Sequence, residues 1–177
     1  MKKITFFILL LTPIVNFAQK SGTILEKYGK VYSTEKPDTT FENEKEYKVI
    51  FDIYADQSKE EEANPQIEAV IKYLNTSLEQ GISNEYLKVA VIFHGTATKN
   101  VLNDIAYNKL FNADNPNTPL IQRLKDSGVQ IYVDKKSYFG NVYELKDKSP
   151  GIKMAYSAMA ALNRYESDGY KIINSYQ

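Results

Sequence analysis

One histidine and no cysteine occur in this chain, and that histidine sits where a site would be built. His94 ends the most apolar strand-like run, Leu87-Lys88-Val89-Ala90-Val91-Ile92-Phe93, and Gly95-Thr96-Ala97-Thr98 follows. An imidazole titrates near neutrality, so His94 can serve as a general base, a ligand or an anion donor. In the bland alternative it hydrogen-bonds a loop backbone. Gly95 beside it keeps access open. Asp134, after Gln130-Ile131-Tyr132-Val133, can orient His94 or hold a cation, or it can start a turn or cap the next segment. Ser137 becomes a nucleophile only if His94 takes its proton, and no nucleophile-elbow motif surrounds it. Asp56, in Ala55-Asp56-Gln57-Ser58, follows another strand-like run and completes the set of candidate ligand-binding residues.

Other chemistries are excluded or left without support. Without a thiol there is no disulfide, no persulfide and no cysteine nucleophile. One histidine among scattered carboxylates is a poor metal signal, and no metal is expected. No glycine-rich phosphate loop follows the first strand, so no cofactor is expected. With 22 basic and 22 acidic residues and no basic cluster, nucleic acid is not an expected partner.

These residues need elements to position them. Tyr47 to Tyr54 (YKVIFDIY) is β-branched and aromatic and has strand length. Asn64-Pro65 is an N-cap followed by proline, and Ile67, Val70, Ile71, Leu74 and Leu78 recur at helical spacing until Gly81. Leu87 to Phe93 is the second strand. Thr98 is placed to cap a helix carrying Val101, Leu102, Ile105 and Leu110. Thr118-Pro119 opens a short helix with Leu120, Ile121 and Leu124 that closes at Gly128. Val129 to Val133 is the third strand. Ser149-Pro150 opens a helix with Ile152, Ala155, Tyr156, Met159 and Leu162, closed at Gly169, and Tyr170 to Ile173 is a last strand. Strands alternating with helices require crossovers. The expected fold is therefore α/β, a three-layer domain with a mostly parallel sheet flanked by helices. In such a sheet the ligand crevice lies outside the carboxyl ends of the strands, where Asp56, His94, Gly95, Asp134 and Ser137 fall.

The first residues read as a leader. Met1-Lys2-Lys3 is basic, and Ile4 to Val15 is an apolar stretch too short to span a bilayer, with a small residue, Ala18, before Gln19. Residues 1–18 are expected to be a signal peptide, 19–46 an N-terminal arm, and 47–177 the α/β domain. No cysteine follows the leader to accept a lipid. The mature protein is expected to be periplasmic or secreted, with no membrane association after cleavage. Without Lys2 and Lys3, 20 basic residues face 22 acidic ones, a formal charge of −2.

The core resembles one family, the DsrE/DsrF-like proteins, and in particular their exported branch. The resemblance rests on YKVIFDIY, on VAVIFHGTA at 89–97, and on Asn115-Pro116-Asn117 before Leu120-Ile121 and Leu124. It continues through Gly128-Val129-Gln130-Ile131-Tyr132-Val133, Pro150-Gly151, Tyr156-Ser157-Ala158 and Gly169-Tyr170, over about residues 47–175. It implies a small α/β domain that assembles into trimers or hexamers. The best understood relatives pass sulfur as a persulfide on a cysteine, which in many relatives directly follows the third strand. Asp134 holds that position here, and a carboxylate cannot form a persulfide. The resemblance thus implies fold, assembly and site location, not the activity.

The expected function is an exported, non-catalytic DsrE-like domain, a homo-oligomer binding a small ligand or protein partner around His94 and Asp134. The alternative is an enzyme using His94 and Asp134 as an acid–base pair on a small substrate. A third reading is a structural interaction protein whose surface is the arm and some of its fourteen tyrosines.

Overall fold

A computed structural model describes residues 44–174 of the chain. The signal peptide and nearly all of the N-terminal arm expected from sequence lie outside the described residues.

Five strands form one sheet, β1 (Tyr47–Ile53), β2 (Leu87–Phe93), β3 (Gln130–Asp134), β4 (Lys153–Ala155) and β5 (Lys171–Asn174), in the order β4-β3-β2-β1-β5. All neighbours are parallel. The expected three-layer α/β architecture is what the chain adopts. The helices are α1 (Pro65–Glu79), α2 (Asp104–Phe111), α3 (Thr118–Asp126), α4 (Lys135–Gly140) and α5 (Ala158–Ser167).

The two faces of the sheet are covered unequally. On one, Val49, Phe51 and Ile53 of β1 and Val89, Val91 and Phe93 of β2 pack with Ile67, Val70, Ile71 and Leu74 of α1 and Leu120, Ile121 and Leu124 of α3. Full burial of each such aliphatic chain contributes about 2 kcal/mol. On the other face Ile50, Ala90 and Ile92 meet only Ala155 and α5, with Tyr132, Leu162, Tyr165, Tyr170 and Ile172 partly buried around them. Because side chains alternate along a strand, the even-numbered positions of β1, β2 and β3 share this thinner side.

Local chemistry explains most of the boundaries. Asn64 caps α1, its Oδ1 accepting from the Gln66 N–H at 2.9 Å, and Pro65 opens the helix where no N–H is needed. At the far end Gly81, with φ 87°, lets the Ile82 N–H turn back to the Ser77 carbonyl at 3.1 Å.

Two expectations are corrected, and one helix is added. Thr98 caps no helix: Gly95–Val101 is a 3-10 helix, and Asn103 caps α2 by accepting from the Ala106 N–H at 2.9 Å. The Thr98 hydroxyl is engaged with the Gly95 carbonyl at 2.9 Å, and Ile105 and Leu110, expected on the buried side, are exposed. Ser149-Pro150 opens no helix either. Residues 153–155 instead pair with the edge of β3, which satisfies their backbone groups, and Ser157 caps α5. Tyr156 and Met159 consequently face solvent. Finally, α4 follows β3 directly; its six residues are too few to show a helical period.

Candidate functional site

The carboxyl ends of β1, β2 and β3 bring Asp52, His94 and Asp134 to one edge and one face of the sheet. Asp52 lies two residues beyond Ile50, His94 two beyond Ile92 and Asp134 two beyond Tyr132, all on the side that α5 covers. His94 keeps extended backbone (φ −148°), so the alternation continues through it, and its N–H extends the ladder to the Ile53 carbonyl at 3.0 Å.

The carboxylate that engages His94 is Asp52. Nε2 of His94 and Oδ1 of Asp52 are 2.5 Å apart, with the side chains 20% and 15% exposed. A carboxylate accepts only, so the hydrogen bond requires the proton on Nε2 of the neutral ring. Nδ1 then carries the lone pair, and among the described residues it has no hydrogen-bond partner. A carboxylate that holds an imidazole in one tautomer makes the opposite nitrogen a better acceptor, suited to receive a donor or proton from a ligand. The Tyr54 ring lies against the imidazole, centroids 4.9 Å apart at 54°.

Gly95 makes this arrangement possible. Its φ is +56°, and a Cβ there would sit 2.5 Å from the Tyr54 carbonyl oxygen and 2.8 Å from its ring. Glycine alone lets the chain leave β2 so close to the end of β1. The Asn141 side chain then closes over the turn, donating to the Gly95 carbonyl at 3.0 Å and to the Thr98 hydroxyl at 2.8 Å.

The remaining sequence candidates are bound into the fold. Asp134 joins two helix starts: Oδ2 accepts from the Ser137 N–H at 2.8 Å and its hydroxyl at 2.5 Å, and Oδ1 from the Ala158 N–H at 3.0 Å. Burial pushes the Asp134 pKa up, but the Ser137 hydroxyl and the N–H donors outweigh it and hold the carboxyl below its ordinary value. Asp134 follows Val133, the register partner of Phe93, so it ends the strand beside His94, yet its described hydrogen bonds all serve the caps. The Ser137 hydroxyl is directed to Asp134 rather than to His94. Asp56 accepts from the Ser58 N–H at 2.8 Å and lies 3.4 Å from Lys99 Nζ, its side chain only 1% exposed.

Two features escaped the sequence reading. Asp52 is the lone acid inside an otherwise apolar and aromatic strand end, an anomaly that marks a buried partner, but strand order is needed to say whose. The other is a cluster of buried asparagines. Asn117 Oδ1 accepts from the Asn64 N–H at 2.8 Å, and its Nδ2 donates to Asn100 Oδ1 at 3.1 Å and Asn115 Oδ1 at 3.2 Å. Asn115 Nδ2 donates to the Asn100 and Leu102 carbonyls. This network ties the start of α1 to the 3-10 segment and to α3.

Among the described residues no group of three or more histidine, cysteine or acidic side chains is placed to hold a metal ion. No described helix is long and apolar enough to cross a membrane.

Residues 48–175, which include the three strand ends just described, match the model of the DsrE/DsrF-like family. The chain belongs to the DsrE/DsrF-like family. No curated protein matches it. Among solved structures it is similar to the protein of unknown function MTH1491 from Methanobacterium thermoautotrophicum, with 16% identity and a TM-score of 0.52 over 73% of this chain and 99% of that one. That likeness is one of fold. This DsrE/DsrF-like chain has no cysteine anywhere, so no thiol of its own can carry sulfur.

Proposed function

We propose that this chain is an exported, oligomeric DsrE-like binding domain that takes a small ligand or partner group at the carboxyl edge of its sheet, with Nδ1 of His94 as the receiving atom. The observation that carries the reading is the 2.5 Å contact of Asp52 with Nε2, which leaves Nδ1 the unengaged acceptor of an oriented ring. The lack of cysteine supports a role other than persulfide relay. Val142, Tyr156 and Met159 are large apolar side chains left exposed at the surface, which a subunit interface would cover. The leader-like residues 1–18 support export.

The test is a fragment screen by 15N-detected NMR on the wild type and His94→Ala. Fragments bearing a hydrogen-bond donor are expected to perturb the imidazole 15N signals of the wild type, and their binding, followed in both proteins by backbone amide shifts, is expected to be lost in the variant. Hits unaffected by the variant, or none near the imidazole, would overturn the reading. Light scattering on eluted fractions tests assembly, and a monomer at micromolar concentration would count against it. The amino-terminal residue of the exported protein, expected to be Gln19, tests processing.

The same contact favours a second reading, acid–base catalysis by His94 supported by Asp52, because an imidazole held by a carboxylate is a common general base. Under it a bound ligand is converted, and His94→Ala abolishes turnover while leaving part of the binding. Under the first reading the ligand is recovered unchanged.

A further inference from the structure

A cleft of about 450 Å³ opens between the segment after β1 and the first turn of α1, lined by Ala55, Gln57, Ser58, Glu62, Asn64 and Gln66 among others. Neither His94 nor Asp52 lines it. We propose that this cleft is a second binding site, specific for a peptide-type amide group whose carbonyl accepts from Asn64 Nδ2 and whose N–H donates to Gln66 Oε1.

Unanswered polar atoms carry the proposal. Asn64 is 1% exposed, and its Nδ2 is buried without a hydrogen-bond partner. The orientation of this amide is set, because Oδ1 accepts from the Gln66 N–H at 2.9 Å and so Nδ2 must lie on the other branch. The residue is also held from behind, its own N–H donating to Asn117 Oδ1 at 2.8 Å. Gln66 Oε1 is likewise buried and unpartnered. Asn64, the N-cap, and Gln66, in the first turn, both line the cleft, and between them they hold one unanswered donor and one unanswered acceptor, the complement of the two halves of an amide. The volume is in the range of small-ligand sites.

An anion is the obvious rival for a helix start, and the geometry disfavours it. Pro65 has no N–H, the Gln66 N–H is taken by the Asn64 side chain, and those of Ile67 and Glu68 are turned to the Asn64 carbonyl at 3.0 and 3.4 Å. No backbone donor of the first turn remains for a phosphate or carboxylate. Glu62 on the wall adds a negative charge. A neutral amide meets neither obstacle.

The experiment titrates 15N-labelled full-length protein with N-acetylglycylglycinamide and follows the side-chain amide signals of Asn64 and Gln66. Both are expected to shift saturably. Asn64→Asp keeps the cap acceptor and removes the donor, and is expected to weaken binding about tenfold, the loss of one hydrogen bond. Gln66→Met, which leaves the cap intact, is expected to do the same and carries the test should Asn64→Asp fail to fold. His94→Ala should leave the titration unchanged, which separates this site from the imidazole edge. No saturable shift in the wild type would overturn the proposal, as would undiminished affinity in folded variants. Preferential binding of inorganic phosphate would assign the cleft to an anion instead.

Discussion

Nε2 of His94 hydrogen-bonds Oδ1 of Asp52 at 2.5 Å across 42 residues of sequence, and the two side chains lie on the same, thinly covered face of the sheet. The contact is diagonal. Asp52 pairs in register with Ile92, two residues before the histidine, so the carboxylate reaches forward along the strand to the ring. Asp52→Ala should leave Nε2–H unpartnered and cost about 1–3 kcal/mol in denaturant unfolding. In a double-mutant cycle with His94→Ala the two losses should fail to add by at least about 0.5 kcal/mol. Additive losses would show that the contact has no energetic weight in solution. In the neutral protein, long-range 1H–15N spectra should show the proton on Nε2, with the alternative tautomer growing in Asp52→Ala.

Gly95→Ala should destabilise the protein by about 2–4 kcal/mol. The positive φ disfavours any L side chain, and the new methyl would meet a carbonyl oxygen at 2.5 Å, a backbone atom that cannot swing aside. The same substitution at Gly128, where φ is +82° but nothing lies within 4 Å, should cost only the conformational part, about 1 kcal/mol. Equal losses at the two positions would refute the role assigned to the Tyr54 contact.

Asp134→Asn should weaken the fold by about 1.5–3 kcal/mol at neutral pH, because hydrogen bonds from two helix starts lose a charged acceptor. The pH dependence has a definite sign. The folded-state pKa of Asp134 lies below the ordinary aspartate value, so its contribution is complete above that ordinary value and is lost as pH falls below it toward the lowered folded value. Unfolding midpoints of wild type and variant should therefore converge in acid. A gap that stays constant down to the acid transition would contradict the assignment.

Asn117→Ala should cost about 2–4 kcal/mol, an effect of core size from a polar residue. It strands the Asn64 N–H and removes the Nδ2 donor shared by Asn100 and Asn115, all inside the protein. Gln122→Ala on α3, whose side chain pairs with Asp126 at the surface, should stay within about 0.5 kcal/mol. Chemical denaturation of the two variants side by side decides the matter.

The legible parts of the fold were those whose signal is local. YKVIFDIY, the Leu87–Phe93 run, the Asn64-Pro65 start and the glycine stop at Gly81 each encode their structure in adjacent residues, and each formed close to where the sequence places it. The misread segments were those decided by a neighbour far away. Residues 153–155 look like part of a helical pattern, yet the open edge of β3 offers them hydrogen bonds that no local sequence reveals. Thr98 looks like a helix cap, but Asn141, 43 residues on, donates to its hydroxyl while that hydroxyl donates to the Gly95 carbonyl.

The site divides in the same way. Sequence alone determined that one imidazole ends a buried strand beside a glycine, that no thiol exists to carry sulfur, and that an alternating strand–helix pattern makes a parallel sheet. These follow from residue type and from periodicities of two and 3.6, which neighbouring positions already contain. Only the tertiary structure decided which carboxylate serves His94. Placing β1 and β3 on either side of β2 sets Asp52 and Asp134 near the same ring; the N–H groups of Ser137 and Ala158 engage one and leave the other for the imidazole. Strand order and the demands of distant backbone donors are properties of the packed chain, so the partner of the single histidine is settled there.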